Sequence, residues 1–375
     1  MRKIAALIAT LLLLLPIVGC VPAPVTPPET DPPITTAPGT TEPTTGEPMT
    51  EPPVTEPPVT VPIFTEPPAT EPPVIEPEVS PYAYDPHMVR ATTAAYLGDL
   101  LPLYHEAIDA ILAHEGDEVA ITGFSSEGDY DRLRFVLLSV FHPSQRLIRT
   151  WVNAKDGENP FRYDPETGTG YLEFLTSAEE AAGWYDRFAD VYNVILSNLR
   201  AEDDEKTRMA YLYLAATMHM EYGTPEPVFG SAQFYDCVTQ GIGMCGNYAM
   251  FLEELALYAG IEACVGGSDD HAWTVAMVDG TWYHFDPTWE RPVLWMGENF
   301  TYFGMSEKRR RETLGANVPL GAKVTSGEEI ELFVVPPVGE LQPIPAAERD
   351  FPADEKRELY QLAWEISDRR FAKKE

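Results

Sequence analysis

Apolar residues recur at helical spacing through most of the chain after residue 80. Between 87 and 115, Leu97, Leu100, Leu101, Tyr104, Ile108, Ile111 and Leu112 line one face of a 3.6-residue repeat, which predicts a helix. Residues 131–141 form a second apolar stretch, and 177–199 carry a strong helical pattern. Between these two, 147–152 and 170–175 have the make-up of short strands. Residues 203–222 open on acidic side chains suited to a helix N-terminus and run on through Met209, Leu212, Leu214, Ala215 and Met218. Residues 244–258 are again helical in pattern, with Gly260 placed to end the helix. The period then changes. Residues 261–265, 271–278 and 281–285 read as strands, the last two joined by Asp279-Gly280, a pair favoured in two-residue type I′ turns. A strand at 329–335, a Pro-rich loop and a closing helix from Asp354 complete the pattern. Helices followed by antiparallel strands predict an α+β fold, with a mostly helical N-terminal region over 81–204 that includes a small sheet.

The first 80 residues carry no such period. Arg2 and Lys3 precede an apolar run at 4–15, the length of a signal-peptide core and too short to span roughly 30 Å of bilayer as a helix. The run ends in Ile17-Val18-Gly19-Cys20, which resembles the lipobox of bacterial lipoproteins. That resemblance implies a signal peptide over 1–19 and lipid on Cys20, so the membrane is reached through acyl chains. The expected location is the extracytoplasmic face of a cell membrane. Residues 21–80 hold 19 of the 36 prolines and no Lys or Arg, and the unit Thr50-Glu51-Pro52-Pro53-Val54 recurs at 55–59, 65–69 and 70–74. Proline fixes φ and removes backbone donors, so 20–80 is expected to be a disordered, extended stalk reaching on the order of 150 Å.

Charge narrows the range of partners. The net charge of −33, from 59 acidic against 26 basic residues, argues against nucleic acid and against electrostatic binding to anionic lipid. Besides Cys20, three cysteines remain, Cys237, Cys245 and Cys264, so at least one thiol is unpaired within the chain.

The hairpin fixes a register. With Asp279 and Gly280 as its loop, Val278 faces Thr281, Trp273 faces Asp286 and His271 faces Thr288. Side chains two apart share a face, so His271 and Asp286 are expected as diagonal neighbours, close enough for the carboxylate to fix the imidazole tautomer. His284 shares this face one step further away and is expected to be structural or on the surface. Cys245 opens the preceding helix, where backbone N–H groups and the helix dipole favour a thiolate and can receive an oxyanion. Thiol, imidazole and carboxylate together form a complete set for nucleophilic catalysis.

Gly243-Met244-Cys245-Gly246-Asn247-Tyr248-Ala249, His271-Ala272-Trp273, Gly280-Thr281-Trp282-Tyr283 and Asp286-Pro287-Thr288-Trp289 together resemble the core of the transglutaminase-like superfamily. The resemblance covers 205–310 and leaves 311–375 as a C-terminal extension of strand and helix. It implies a papain-like arrangement, a nucleophile helix packed on an antiparallel sheet, with Cys245 as nucleophile, His271 as general base and Asp286 as its orienter. It also implies an oxyanion partner upstream of the nucleophile, for which Gln233, Tyr235 and Gln240 are candidates.

The remaining residues admit blander roles. Cys237 and Cys264 are expected as buried small hydrophobes, with a disulfide between them as the alternative. Cys245, His271 and Asp286 lack the spacing of a zinc site, and Asp269-Asp270 reads as a solvated loop rather than a calcium site, so neither metal nor cofactor is expected. Trp273, Trp282 and Trp289 either line a substrate cleft or pack in the core. The expected function is therefore a membrane-anchored thiol enzyme acting at amide bonds of proteins, peptides or cell-wall (peptidoglycan) peptides. The alternative is a non-catalytic, surface-displayed binding module on the same scaffold.

Overall fold

The computed structural model describes residues 79–372, apart from 139–145, 148–160, 229–232, 268–270, 298–299, 315–321, 326–328, 335–341 and 345. Cys20, the repeat and the Asp269-Asp270 pair lie outside the described residues. Helix α1 (Ala91–Leu97) passes through a short 3-10 turn into α2 (Leu101–Ala113). Strand β1 (Glu118–Thr122), helix α3 (Glu127–Leu138) and strands β2 (Phe161–Asp164) and β3 (Thr169–Glu173) follow. The sheet runs β1-β3-β2, antiparallel throughout, with Val119 opposite Leu172 and Phe161 on the other side of the same leucine. The strand expected at 170–175 is β3. Its partners were not foreseen: β1 offers only Val119 and Ile121 as inward positions, too few to stand out as an alternation. Of the strand expected at 147–152, only Leu147 is described, and it is buried in a helical turn.

The helix expected across 177–199 is two helices, α4 (Ala178–Ala181) and α5 (Trp184–Leu196). Ser177 and Glu180 form a capping box that opens α4. Gly183, at φ 74°, then turns the chain through the left-handed region and breaks the run.

The core begins with α6 (Glu205–His219), capped by Asp204, whose Oδ1 accepts from Thr207 N at 2.8 Å. Strand β4 (Glu221–Tyr222), helix α7 (Phe234–Gln240) and strand β5 (Ile242–Gly243) lead into α8 (Cys245–Tyr258). A Schellman pair ends α8: Ile261 N donates to Ala256 O at 2.8 Å and Gly260 N to Leu257 O at 3.0 Å. Strands β6 (Ala263–Gly267), β7 (Ala272–Val278) and β8 (Thr281–Phe285) form an antiparallel sheet against which α8 packs. The β7–β8 ladder has the expected register, from Val278 opposite Thr281 to Thr274 opposite Phe285. Asp279 and Gly280 sit at φ 50° and 75°, as a type I′ turn requires. The ladder stops there. Trp273–Asp286 and His271–Thr288 are not strand pairs, because the chain turns at Asp286 into α9 (Pro287–Val293).

Helix α10 (Glu307–Leu314), strands β9 (Ala322–Thr325), β10 (Glu329–Val334) and β11 (Gln342–Ile344), which form a small sheet ordered β11-β10-β9, and α11 (Ala353–Ala372) follow. Helix α11 packs along α6. Lys206 on α6 binds Glu355 at 2.6 Å and Asp279 at 3.5 Å, while Asp279 N donates to Glu205 Oε2 at 2.7 Å, so the hairpin tip is tied down. No helix among the described residues is long and apolar enough to cross a membrane.

One apolar core runs from Tyr84, Tyr104, Ile108, Phe188 and Tyr192 through Phe251 and Leu255 of α8 to Phe285 of β8. Within it lies a buried ionic network. Arg90 and Arg146 both meet Glu253, and Arg146 also binds Glu254 at 3.0 Å and Met250 O at 3.0 Å. Tyr192 on α5 donates to Glu254. Burial pushes the Glu254 carboxyl well above the usual carboxylate range, and Arg146 and Tyr192 pull it back. Two acids on α8 are thus held by groups from the N-terminal region.

Candidate active site

Gly243 and Asn247 shape the entry to α8. A Cβ on Gly243 would come within 2.7 Å of the Asn247 Cβ, so only glycine fits. Asn247 Oδ1 accepts from Met244 N at 2.9 Å, and Asn247 N donates to Met244 O at 2.8 Å, which closes the first turn. Tyr248 donates to Met220 O at 2.6 Å and anchors the turn to the end of α6. Cys245 is the first residue of this helix and is 8% exposed. Its thiol therefore sits at the positive end of the helix dipole, among N–H groups without intrahelical partners.

His271 directly precedes β7, and Asp286 directly follows β8. Their side chains meet: His271 Nε2 and Asp286 Oδ2 are 2.5 Å apart. The His271 ring is also hydrogen-bonded to Cys245. With Nε2 on the carboxylate, Nδ1 is the nitrogen left for the thiol. The structure thus brings Cys245, His271 and Asp286 into one line. Burial disfavours the charged ring, but Asp286 and Cys245 favour it more strongly, and the imidazole is raised to about 10.

Asp286 is fully buried and both of its carboxylate oxygens are engaged, because Oδ1 accepts from Trp289 N at 3.0 Å and caps α9. Its own N–H donates to Tyr302 O at 3.1 Å, and its carbonyl accepts from Tyr213 at 3.0 Å. The same hydroxyl lies 2.9 Å from Glu290 Oε2, so its single proton is shared between the two acceptors, and Glu290 also receives Thr301 N at 3.1 Å and Tyr302 N at 2.6 Å. Burial raises the Glu290 carboxyl. Tyr213 and Glu290 thus fix the backbone around Asp286. Sequence reasoning missed both, since Tyr213 looks like any apolar position on α6 and Glu290 like a surface acid.

The remaining candidates separate clearly. Cys237 and Cys264 are buried free thiols, pushed up by burial to about 12 and about 11. Tyr235 accepts from Arg187 Nε at 3.0 Å and stacks on Trp184, so it belongs to the packing of α7 on α5. Gln240 is exposed and clasps the backbone of Glu226. Gln233 stands at the N-cap of α7. Trp273 and Trp282 are buried with Cys264 and Val275 in a small cluster of their own. Trp289 is half-buried, its ring edge-on to His271 with centroids 6.0 Å apart and Tyr302 beyond it at 6.2 Å. His284 is fully buried, a structural residue rather than a surface one.

Residues 194–287 match the model of the transglutaminase-like superfamily. Within and beside that stretch, α8 packs on the antiparallel sheet β6-β7-β8, the arrangement that the resemblance in the sequence implied. No curated protein matches the chain. Among solved structures, one of a candidate cysteine protease from Cytophaga hutchinsonii matches at 14% identity and a TM-score of 0.20. That match covers 32% of this chain and 51% of the other, about half its length.

Proposed function

We propose that this chain is a thiol enzyme acting at amide bonds, with Cys245 as nucleophile, His271 as acid and base, and Asp286 as orienter. The observation that carries the proposal is the continuous line from Cys245 through His271 to the Asp286 carboxylate. The Cys245 sulfur gives its proton to His271 and attacks the carbonyl carbon of the substrate. The oxyanion is received by N–H groups of the first turn of α8. The imidazolium then protonates the leaving amine as the C–N bond breaks, which leaves an acyl-enzyme. Water attacks that thioester, with His271 as base, and releases the acid. Transfer to an amine follows the same steps with nitrogen in place of water. Hydrolysis is favoured, since water is always at hand and no amine-binding site is marked.

The substrates proposed are proteins, peptides or cell-wall peptides outside the cell, reached from a membrane by a lipid on Cys20 and the Pro-rich stretch behind it. The test is to incubate the full chain with peptides and wall fragments and search by mass spectrometry for acyl adducts on Cys245. Adducts on the wild type that are lost in His271→Ala support the assignment. Adducts on neither, with Cys245 no more reactive to iodoacetamide than Cys237 and Cys264, would leave a binding module.

A further inference from the structure

The sheet face that carries His271 also carries Trp273 and His284, and these two are joined by contacts that the thiol chemistry does not use. Trp273 Nε1 donates to His284 Nδ1 at 2.9 Å, so Nδ1 is the bare nitrogen and the ring proton sits on Nε2. That proton faces Glu307 Oε2 at 2.9 Å. Glu307 is held in turn by Arg310 Nη2 at 2.6 Å and Arg311 Nε at 2.7 Å. Arg310 also places its guanidinium 5.2 Å from the centre of the Trp273 ring. The Trp273 ring stacks on His271 with centroids 6.0 Å apart and planes 29° from parallel.

Trp273, His284 and Arg310 are all fully buried. Burial lowers His284 against the pull of Glu307; burial would raise Glu307, but His284 first, then Arg310 and Arg311, outweigh it and hold the carboxyl down at about 2. Apolar side chains would fill this space without desolvating an ion pair, a cost of several kcal/mol per ion. What a cross-linked polar cluster adds is a single geometry. Here the geometry it fixes is that of the indole, tethered at Nε1 and covered by a cation.

The His271 ring needs such a wall. Asp286 and Cys245 grip it at its two nitrogens, and bonds at the ring edge leave it free to rock about the line between them. Only a contact on its face removes that motion. We propose that His284 is a positioning residue: with Glu307 and Arg310 it clamps the indole of Trp273, and the indole sets the tilt of His271 between Cys245 and Asp286. This rests on the thiol chemistry proposed above.

The test uses the full chain and three variants. His284→Phe fills the same space but cannot accept from the indole. His284→Gln keeps an acceptor for Trp273 and a donor for Glu307. Glu307→Gln removes the charge alone. Two readouts are followed: alkylation of Cys245 by iodoacetamide at pH 7, and titration of the His271 ring by NMR. His284→Phe should slow alkylation by about tenfold and bring the His271 midpoint down by a pH unit or so. His284→Gln should restore most of both. A folded His284→Phe with a lower melting temperature, but with wild-type titration and alkylation, would overturn the proposal. If His284→Phe does not fold, Glu307→Gln is held to the same criterion. A wild-type Cys245 no faster than Cys237 and Cys264, with a His271 titration that still moves in His284→Phe, would sink the thiol chemistry and leave the clamp standing.

Discussion

The two halves of this molecule are held by opposite means. In the core, the groups that converge on Cys245 come from adjacent strands and the helix before them, and the turn and cap that place them are local, with Tyr213 and Glu205 of α6 added from further away: Asp286 caps its own helix and the hairpin turn sets its own register. The N-terminal region works at long range. Arg146 reaches Glu253 and Glu254 across 107 and 108 residues, and Arg90 meets Glu253 from further back still. The core therefore writes its chemistry in short motifs, whereas the N-terminal region contributes rigidity through pairs that no local pattern announces.

The largest effect on turnover should come from the core. His271→Ala should lower Cys245-dependent turnover by up to about 10⁴-fold, the scale seen when a triad base is disabled, and should also lower the melting temperature, because Asp286 is then buried without its imidazolium. The pH profile sharpens the point. Because the folded imidazole is raised to about 10, its pairing stabilises the fold fully below the ordinary value of about 6.5 and is lost as pH rises to about 10. Any step that needs the imidazolium should fail over that alkaline limb. Asp286→Asn should move the limb toward neutrality, and an unmoved limb would detach Asp286 from the base.

Arg146→Ala should act the other way, costing about 3–5 kcal/mol in denaturant unfolding by leaving Glu253 and Glu254 buried with one fewer cation. If instead unfolding is unchanged while turnover falls, the N-terminal region serves the reaction directly and the contrast collapses. Gly243→Ala should give the smallest loss, about 1–3 kcal/mol, from the crowding of Asn247. Circular dichroism melts together with alkylation rates would show whether that crowding also displaces the thiol.

How much was legible in the sequence follows the same divide. The helix from Cys245 and the hairpin could be placed because periodicity and an Asp-Gly turn are local signals, and the register followed by arithmetic as far as Phe285. It failed one residue later, at Asp286, where Pro287 at the first position of α9 favours a helix start over a continued strand. The break at Gly183 lay inside a pattern whose apolar spacing hides it. Tyr213, Glu290 and the pairing of His284 with Glu307 were invisible because each depends on where the loop at 301–302 and helix α10 are laid down.

Lys206 gives the fold an order in time. It binds both Asp279 at the hairpin tip and Glu355 of α11, which follows Lys206 by 149 residues along the chain. A chain that emerges N-terminus first has its thiol, its imidazole and its carboxylate in hand long before α11 arrives. Contacts over such separations form late, since the loop between them must close first. The hairpin whose two feet carry His271 and Asp286 is thus tied to α6 by Glu205 and Lys206 first, and the contact with Glu355 is added when the closing helix docks.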